Sequence, residues 1–204
     1  MFSPDALRVF GWIAGGLSAL CYIPYIIGIF KRTVRPERAS WLIWSVLTAI
    51  GFFSNLALGA TDSLWLPGVQ GVGVIIVFLL SIKHGYGGLL RRDIVTLAAS
   101  ALILVTWYFT KQPVIAVYLA TFIDALGGYL TIVKAYEAPE TEAPATWAMS
   151  GTAGLFAMLA VGRLDAALLV YPFYIFLVNS AVFVAIFLGK RAKLSAPQEK
   201  SQAT

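Results

Sequence analysis

Charge is what this chain is short of. Only 12% of its 204 residues are Asp, Glu, Lys or Arg, against 59% hydrophobic. A soluble domain carries roughly 25% charged residues, so about half the charge needed to wet a folded surface is missing. Mean hydropathy is +0.82, and the surface to expect is one in contact with lipid. Cysteine is nearly absent as well: Cys21 stands alone, which excludes an intrachain disulfide and leaves the redox compartment unread. The single histidine, His84, has no cluster of metal-ligating residues around it. Neither HExxH, a P-loop nor a Gly-rich dinucleotide turn occurs, so no metal or cofactor is expected. No nucleophile–base pair is legible at one depth, and the chain does not read as an enzyme. The net charge of +5 comes without a basic run interleaved with aromatics, which argues against nucleic acid as a partner. The opening "MFSPDALRVF" lacks a basic n-region, no small-residue cleavage site follows, and the segment is expected to stay as a helix.

Long apolar runs, by contrast, are plentiful. Seven of them, at about 7–30, 40–60, 65–82, 93–110, 113–133, 145–162 and 166–188, are each near the length of roughly 20 residues that crosses a bilayer as a helix. They are continuous rather than alternating, which predicts helices and not the strands of a barrel. The expected fold class is therefore an all-α membrane protein with seven transmembrane helices. Of the 15 Lys and Arg residues, all but Arg8, Lys111 and Arg163 fall on one side of this plan. The positive-inside rule then predicts an external N-terminus, a cytoplasmic C-terminus with a disordered tail over 190–204, and the plasma (inner) membrane as location. Trp41, Trp44 and Trp147 are expected in an inner aromatic belt, and Trp12, Trp65 and Trp107 near the outer one.

The chain also echoes itself. Sliding it by 103 residues gives twelve identities in 38 positions, among them Lys31 with Lys134, Pro36-Glu37 with Pro139-Glu140, Trp44 with Trp147 and Asp62 with Asp165. Apolar composition raises chance matching, yet it does not put Lys, Pro-Glu, Trp and Asp in register. The stretches "KRTVRPERASWLIW" and "KAYEAPETEAPATW" then become equivalent inner loops. In each, proline ends or restarts a helix, lysine snorkels at the boundary and tryptophan anchors the next helix. The predicted domains are a three-helix repeat over 7–82, a linker helix over 93–110 that restores the orientation, and a second three-helix repeat over 113–188. Such a 3+1+3 chain has two parallel repeats about an axis normal to the membrane.

In topology, orientation and repeat plan, over about residues 7–190, the chain resembles the SWEET and PQ-loop transporter superfamily. Pro24-Tyr25, seven residues before Lys31, stands where the family has Pro-Gln, and Ser40 falls near its downstream Ser. The second-half counterpart is Gly127-Gly128. Asn179 lies in the last span, where SWEETs carry a sugar-contacting Asn, and Ile76 occupies the matching place in the first half. The resemblance implies a small-solute transporter that alternates access to a mid-membrane site between the two repeats.

Polar residues at that depth are the candidates. At 1.5 Å per residue, Asp124 lies about 15 Å from Lys134, and Asn179 about 16 Å from Lys190, near the centre of a core about 30 Å thick. Asp124 is the one acid or base well inside a span, and such a residue is functional by default, binding a polar substrate group or a coupling proton. Thr121, Asp124, Gly127, Gly128 and Thr131 share a helical face. Their counterparts in the first repeat are Ser18, Cys21, Pro24, Tyr25 and Gly28. The substrate-binding set is Asp124, Asn179, Tyr25, Thr121 and Cys21. Arg35 and Arg38 in one loop face Glu140 and Glu142 in the other, the charge pattern of an inner gate. Pro24, Gly51 and Gly154 are the candidate hinges. Expected partners are the lipid bilayer, a small polar solute and, from the Gly11–Gly15 spacing, a second copy of the chain. The alternative is a non-transporting membrane receptor or scaffold on the same fold, its basic face held to acidic lipid or a partner.

Overall fold

The structure, a computed structural model, describes residues 2–57, 65–88, 90–110, 113–162, 164 and 166–195. Its elements are α1 (Pro4–Leu20), α2 (Tyr22–Phe30), α3 (Arg38–Ala57), α4 (Trp65–His84), α5 (Arg91–Thr110), α6 (Pro113–Glu137), a 3-10 turn (Pro139–Thr141), α7 (Pro144–Val161) and α8 (Ala166–Ser195). Among the described residues there is no strand, and the all-α reading holds. α1 and α2 are one rod interrupted at Cys21. The cause is Pro24, which has no N–H to return to the Leu20 carbonyl and whose ring crowds that turn. Counted so, there are seven helical rods among the described residues.

Local chemistry sets the helix ends. Ser3 caps α1, its Oγ accepting from Ala6 N–H at 3.3 Å with Pro4 following, and α6 and α7 open on Pro113 and Pro144. These are the positions where a missing N–H costs nothing. Glu37 caps α3, its Oε2 accepting from Ser40 N–H at 2.7 Å. Gly162 ends α7 at φ 70°, a left-handed stop that other residues adopt only with strain.

Among the described residues three stretches are long and apolar enough to cross a membrane: Pro4–Phe30, Pro144–Val161 and Leu169–Ser195. Large apolar side chains stand outside the bundle, including Trp12 at 70% and Phe30 at 67% exposure. A helix apolar on all sides needs protein or lipid around it, which fits an integral membrane protein. Trp12 is thus exposed where a belt residue should be. The side chains of Trp65 and Trp107 lie outside the described residues.

The rods have a definite neighbour order. α4 packs against α3 and against both α1 and α2; in the same way α8 packs against α6 and α7. Between these groups α1 and α2 pack on α7, while α3 packs on α6. α5 lies against α6 and α3. The core between them joins Tyr25, Ile29, Trp41 and Val77 to Trp147, Val182 and Ile186.

Gly154, a candidate hinge, sits in a tight seam: a Cβ there would come 2.6 Å from the Phe176 nitrogen and 3.0 Å from the Pro172 carbonyl. Its missing side chain is what lets α7 approach α8. Gly154→Ala is expected to destabilise the protein by about 1–3 kcal/mol, because neither backbone can step aside cheaply. Thermal unfolding in detergent measures it, and an unchanged midpoint would contradict the close-packing role. Gly51, its expected twin, has surroundings that lie outside the described residues.

Candidate functional site

The site is built from two layers, and the outer one begins with Asp124 on α6. Tyr174 on α8 donates its hydroxyl to Asp124 Oδ1 at 3.2 Å, and Trp44 Nε1 on α3 donates to the Asp124 carbonyl at 3.3 Å. Tyr171, with its ring 6.2 Å from that of Tyr174, and Tyr22 on α2 stand within electrostatic reach of the carboxylate. Among the described residues no Lys, Arg or His pairs with Asp124. The carboxylate is therefore held by the Tyr174 hydroxyl, in a partly buried place, with no countercharge among the described residues.

Below it lies a continuous cluster of rings. Tyr25 meets Trp41 at 5.1 Å and Trp147 at 5.8 Å between centroids, and Trp41 meets Trp44 at 5.1 Å. Trp41 and Trp147 are 4% and 5% exposed. This corrects the expectation of an inner belt: three of the tryptophans turn inward, Trp41 meeting Trp44 edge to face and Trp147 meeting Tyr25 in the same way. Edge-to-face aromatic packing between the helix groups outcompetes the pull of the headgroup boundary. Tyr25 Oη and Trp41 Nε1 are buried there without a hydrogen bond.

The inner layer closes one end, called the basic end below. Lys134 Nζ lies 2.6 Å from Glu142 Oε1 with both side chains fully buried, and it also donates to the Thr141 carbonyl at 3.0 Å. Trp147 Nε1 donates to the other oxygen of Glu142 at 2.8 Å. The expectation that Lys134 snorkels is thereby overturned. The chain turns through the 3-10 segment and brings an acid back beside the ammonium, a pairing that competes successfully with water. Across the bundle Arg35 N–H donates to the Thr141 carbonyl at 2.9 Å, and the Pro36 carbonyl accepts from Tyr86 N–H at 2.7 Å. The two loops do meet, as their charges imply. Their side chains pair differently: Arg38 donates to the Ser81 and Gly87 carbonyls, Arg35 lies 5.7 Å over the Tyr86 ring, and Glu140 pairs with Lys193 at 2.8 Å. No Arg38–Glu142 contact is made.

Between the layers, Ser40 Oγ lies 2.8 Å from Glu37 Oε2 and 2.6 Å from the Gly127 carbonyl, and it accepts from Thr131 Oγ1 at 2.8 Å. A hydroxyl has one proton to give. If Ser40 spends it on Gly127, its contact with Glu37 is satisfied by a proton on the carboxyl. Burial pushes the Glu37 carboxyl above its ordinary value, against the opposing pull of the Ser40 hydrogen bonds. A raised folded-state value means that this group's contribution to stability is greatest below its unfolded value and declines as pH rises toward the folded one. Glu37→Gln, whose amide donates permanently to Ser40, is expected to gain stability relative to the parent as pH rises from 5 to 8. Melting temperatures of both proteins across that range test it; a constant gap would leave Glu37 ionised throughout.

Of the remaining expected site residues, Thr121 is buried one turn from Asp124. Cys21 is buried at the α1–α2 break, where its carbonyl accepts from Thr146 Oγ1 at 3.0 Å; Pro24 makes that break. Asn179 is buried and donates to the Ile175 carbonyl of its own helix at 2.8 Å, packed against Gly151 of α7. Sequence reasoning missed Lys134, Glu37, Tyr174 and the inward tryptophans. One signal was available: where the first half has Ala39, the second has Glu142, an acid eight residues after a lysine that its twin position lacks.

No protein-family model, no curated protein and no solved structure matches this chain.

Proposed function

We propose that the protein is a membrane carrier for a small polar solute, alternating access to a site at Asp124 between two three-helix units. The observation that carries the reading is the mid-helix carboxylate of Asp124, gripped by Tyr174 and left without a cationic partner among the described residues. An ionised carboxylate in a low-dielectric interior is costly unless a countercharge joins it. Aromatic faces favour cations and not anions. A solute bearing an ammonium group fits both requirements, with a coupling proton taking its place in the empty site.

The neighbour order supports the two-unit plan. In each unit the third helix packs on the other two, and the first helix of one unit meets the second of the other, the reciprocity of a two-fold axis. That order is what a 3+1+3 arrangement of parallel repeats with α5 as linker would give, and it agrees with the echo at an offset of 103 residues in the sequence. It also agrees with the SWEET and PQ-loop resemblance. The knitted basic end and the Lys134–Glu142 pair then serve as the closed inner gate, on the cytoplasmic side by the positive-inside rule.

Counterflow in proteoliposomes, with labelled amines, neutral amino acids, sugars and carboxylates, tests the reading without knowledge of a driving force. Saturable accumulation of amines is the expected result. Accumulation of sugars or carboxylates alone would keep the carrier and reject the ammonium class. Silence across the panel from folded protein would replace the carrier with a receptor or scaffold.

A further inference from the structure

A cavity of about 400 Å³ opens at the basic end, lined by Arg32, Arg35, Arg38, Lys83 and His84 together with Ile29, Val34 and Gly85. Four full positive charges around so small a space repel one another, and a carboxylate among them would be the ordinary remedy. None is there. Each of the five carboxylates described at this end is engaged elsewhere: Glu37 with Ser40, Asp93 with the Leu90 N–H and Arg92, Glu137 with Arg92, Glu140 with Lys193 and Glu142 with Lys134. Arg38 is partly satisfied by two carbonyls, whereas Arg32, Arg35 and Lys83 meet no carboxylate among the described residues.

Arg32 has φ 60°, the left-handed turn that closes α2, with the Thr33 and Val34 N–H groups returning to the Gly28 carbonyl; Arg32 then lines the cavity. Lys83 and His84 occupy the last turn of α4, where helix carbonyls stabilise cations.

We infer that this cavity binds a phosphate group, and that the phosphate is the head of an anionic phospholipid. Arginine forks match phosphate oxygens and lysine supplies a point charge. The lipid source is favoured by what borders the same helix pair: Ile27 and Phe30 on α2 and Leu79 and Ile82 on α4 are all exposed, a place for acyl chains below the head. Arg35 and Arg38 also belong to the knitted basic end, but the inference needs no carriage at Asp124, which none of the lining residues touches.

The test uses the full chain in phosphatidylcholine nanodiscs with and without phosphatidylglycerol, with bound lipid counted by native mass spectrometry. Calorimetry with inorganic phosphate in phosphatidylcholine discs forms the second arm. One phosphatidylglycerol retained per chain is expected, with retention reduced about tenfold or more in Arg32→Gln/Lys83→Gln. Arg91→Gln/Lys190→Gln, which removes the same charge from outside the cavity, should retain it. Arg35→Gln provides a third variant should the double fail to fold. Equal loss in both doubles, or no preference for phosphatidylglycerol, would overturn the site. Phosphate binding without lipid preference would overturn the phospholipid and leave a free anion as the ligand.

Discussion

Asp124→Asn is expected to lower the apparent affinity for a transported ammonium solute by ten- to hundredfold while leaving the fold intact. Asparagine has the shape of aspartate and still accepts from the Tyr174 hydroxyl, which now reaches Asp124 Oδ1 at 3.2 Å. What it loses is charge. A hydrogen bond to a charged group contributes about 1.5–3 kcal/mol, and that sets the range. Thermal stability should move by less than about 1 kcal/mol, since no other charge loses its partner. Counterflow of a labelled amine, with and without a pH gradient, distinguishes the roles. If the carboxylate carries the coupling proton, gradient-driven uptake vanishes in the variant and exchange persists. Undiminished binding and uptake would reduce Asp124 to a packing residue between α6 and α8.

The largest stability effect is expected at Lys134. Its ammonium is fully buried against Glu142 at 2.6 Å, and Trp147 holds the other oxygen of the carboxylate. Lys134→Met leaves that carboxylate buried without its countercharge, a change that costs about 3–5 kcal/mol. Native proteins are stable by roughly 5–15 kcal/mol, so the unfolding midpoint should fall steeply. The double variant Lys134→Met/Glu142→Gln, with no charge left to desolvate, should recover most of the loss. Failure of the double to recover would place the energy in packing rather than in charge. Cys21, the one cysteine, supplies a second readout because it lies buried beside Thr146 near the start of α7. Well below the unfolding temperature, labelling of Cys21 by a maleimide should be faster in Lys134→Met if the pair locks the basic end.

The same two residues show where linear reading stops. Asp124 was legible because an acid amid apolar residues is conspicuous in one dimension and the cost of its burial is set by depth. Tyr174 was not, because it lies 50 residues on and nothing in its local pattern marks it as the hydroxyl that meets Asp124. Arg38 and Glu142 have opposite charges on facing loops and still do not pair. Each finds a nearer partner once the backbone turns: carbonyls at the end of α4 for Arg38, Lys134 for Glu142. Trp41, Trp44 and Trp147 lie at the right height for a belt but on the inward side of their helices, where ring edges from α2, α3 and α7 converge. The first span, read as one continuous run over about 7–30, is interrupted at Cys21 by Pro24, since the loss of one N–H acts within a single turn.

By itself the sequence determined that this chain is helical, apolar enough for a bilayer, basic at one set of loops and internally echoed at an offset of 103 residues. Those properties are sums over neighbouring residues: transfer free energy, helix-breaking and charge each accumulate along the chain. Only the tertiary structure decided which lysine is buried, which carboxylate is paired and which is left open, and which basic side chains surround a cavity. Such outcomes depend on a few ångströms between helices far apart in sequence, where desolvation and Coulomb attraction are both large and nearly cancel. Geometry settles the sign.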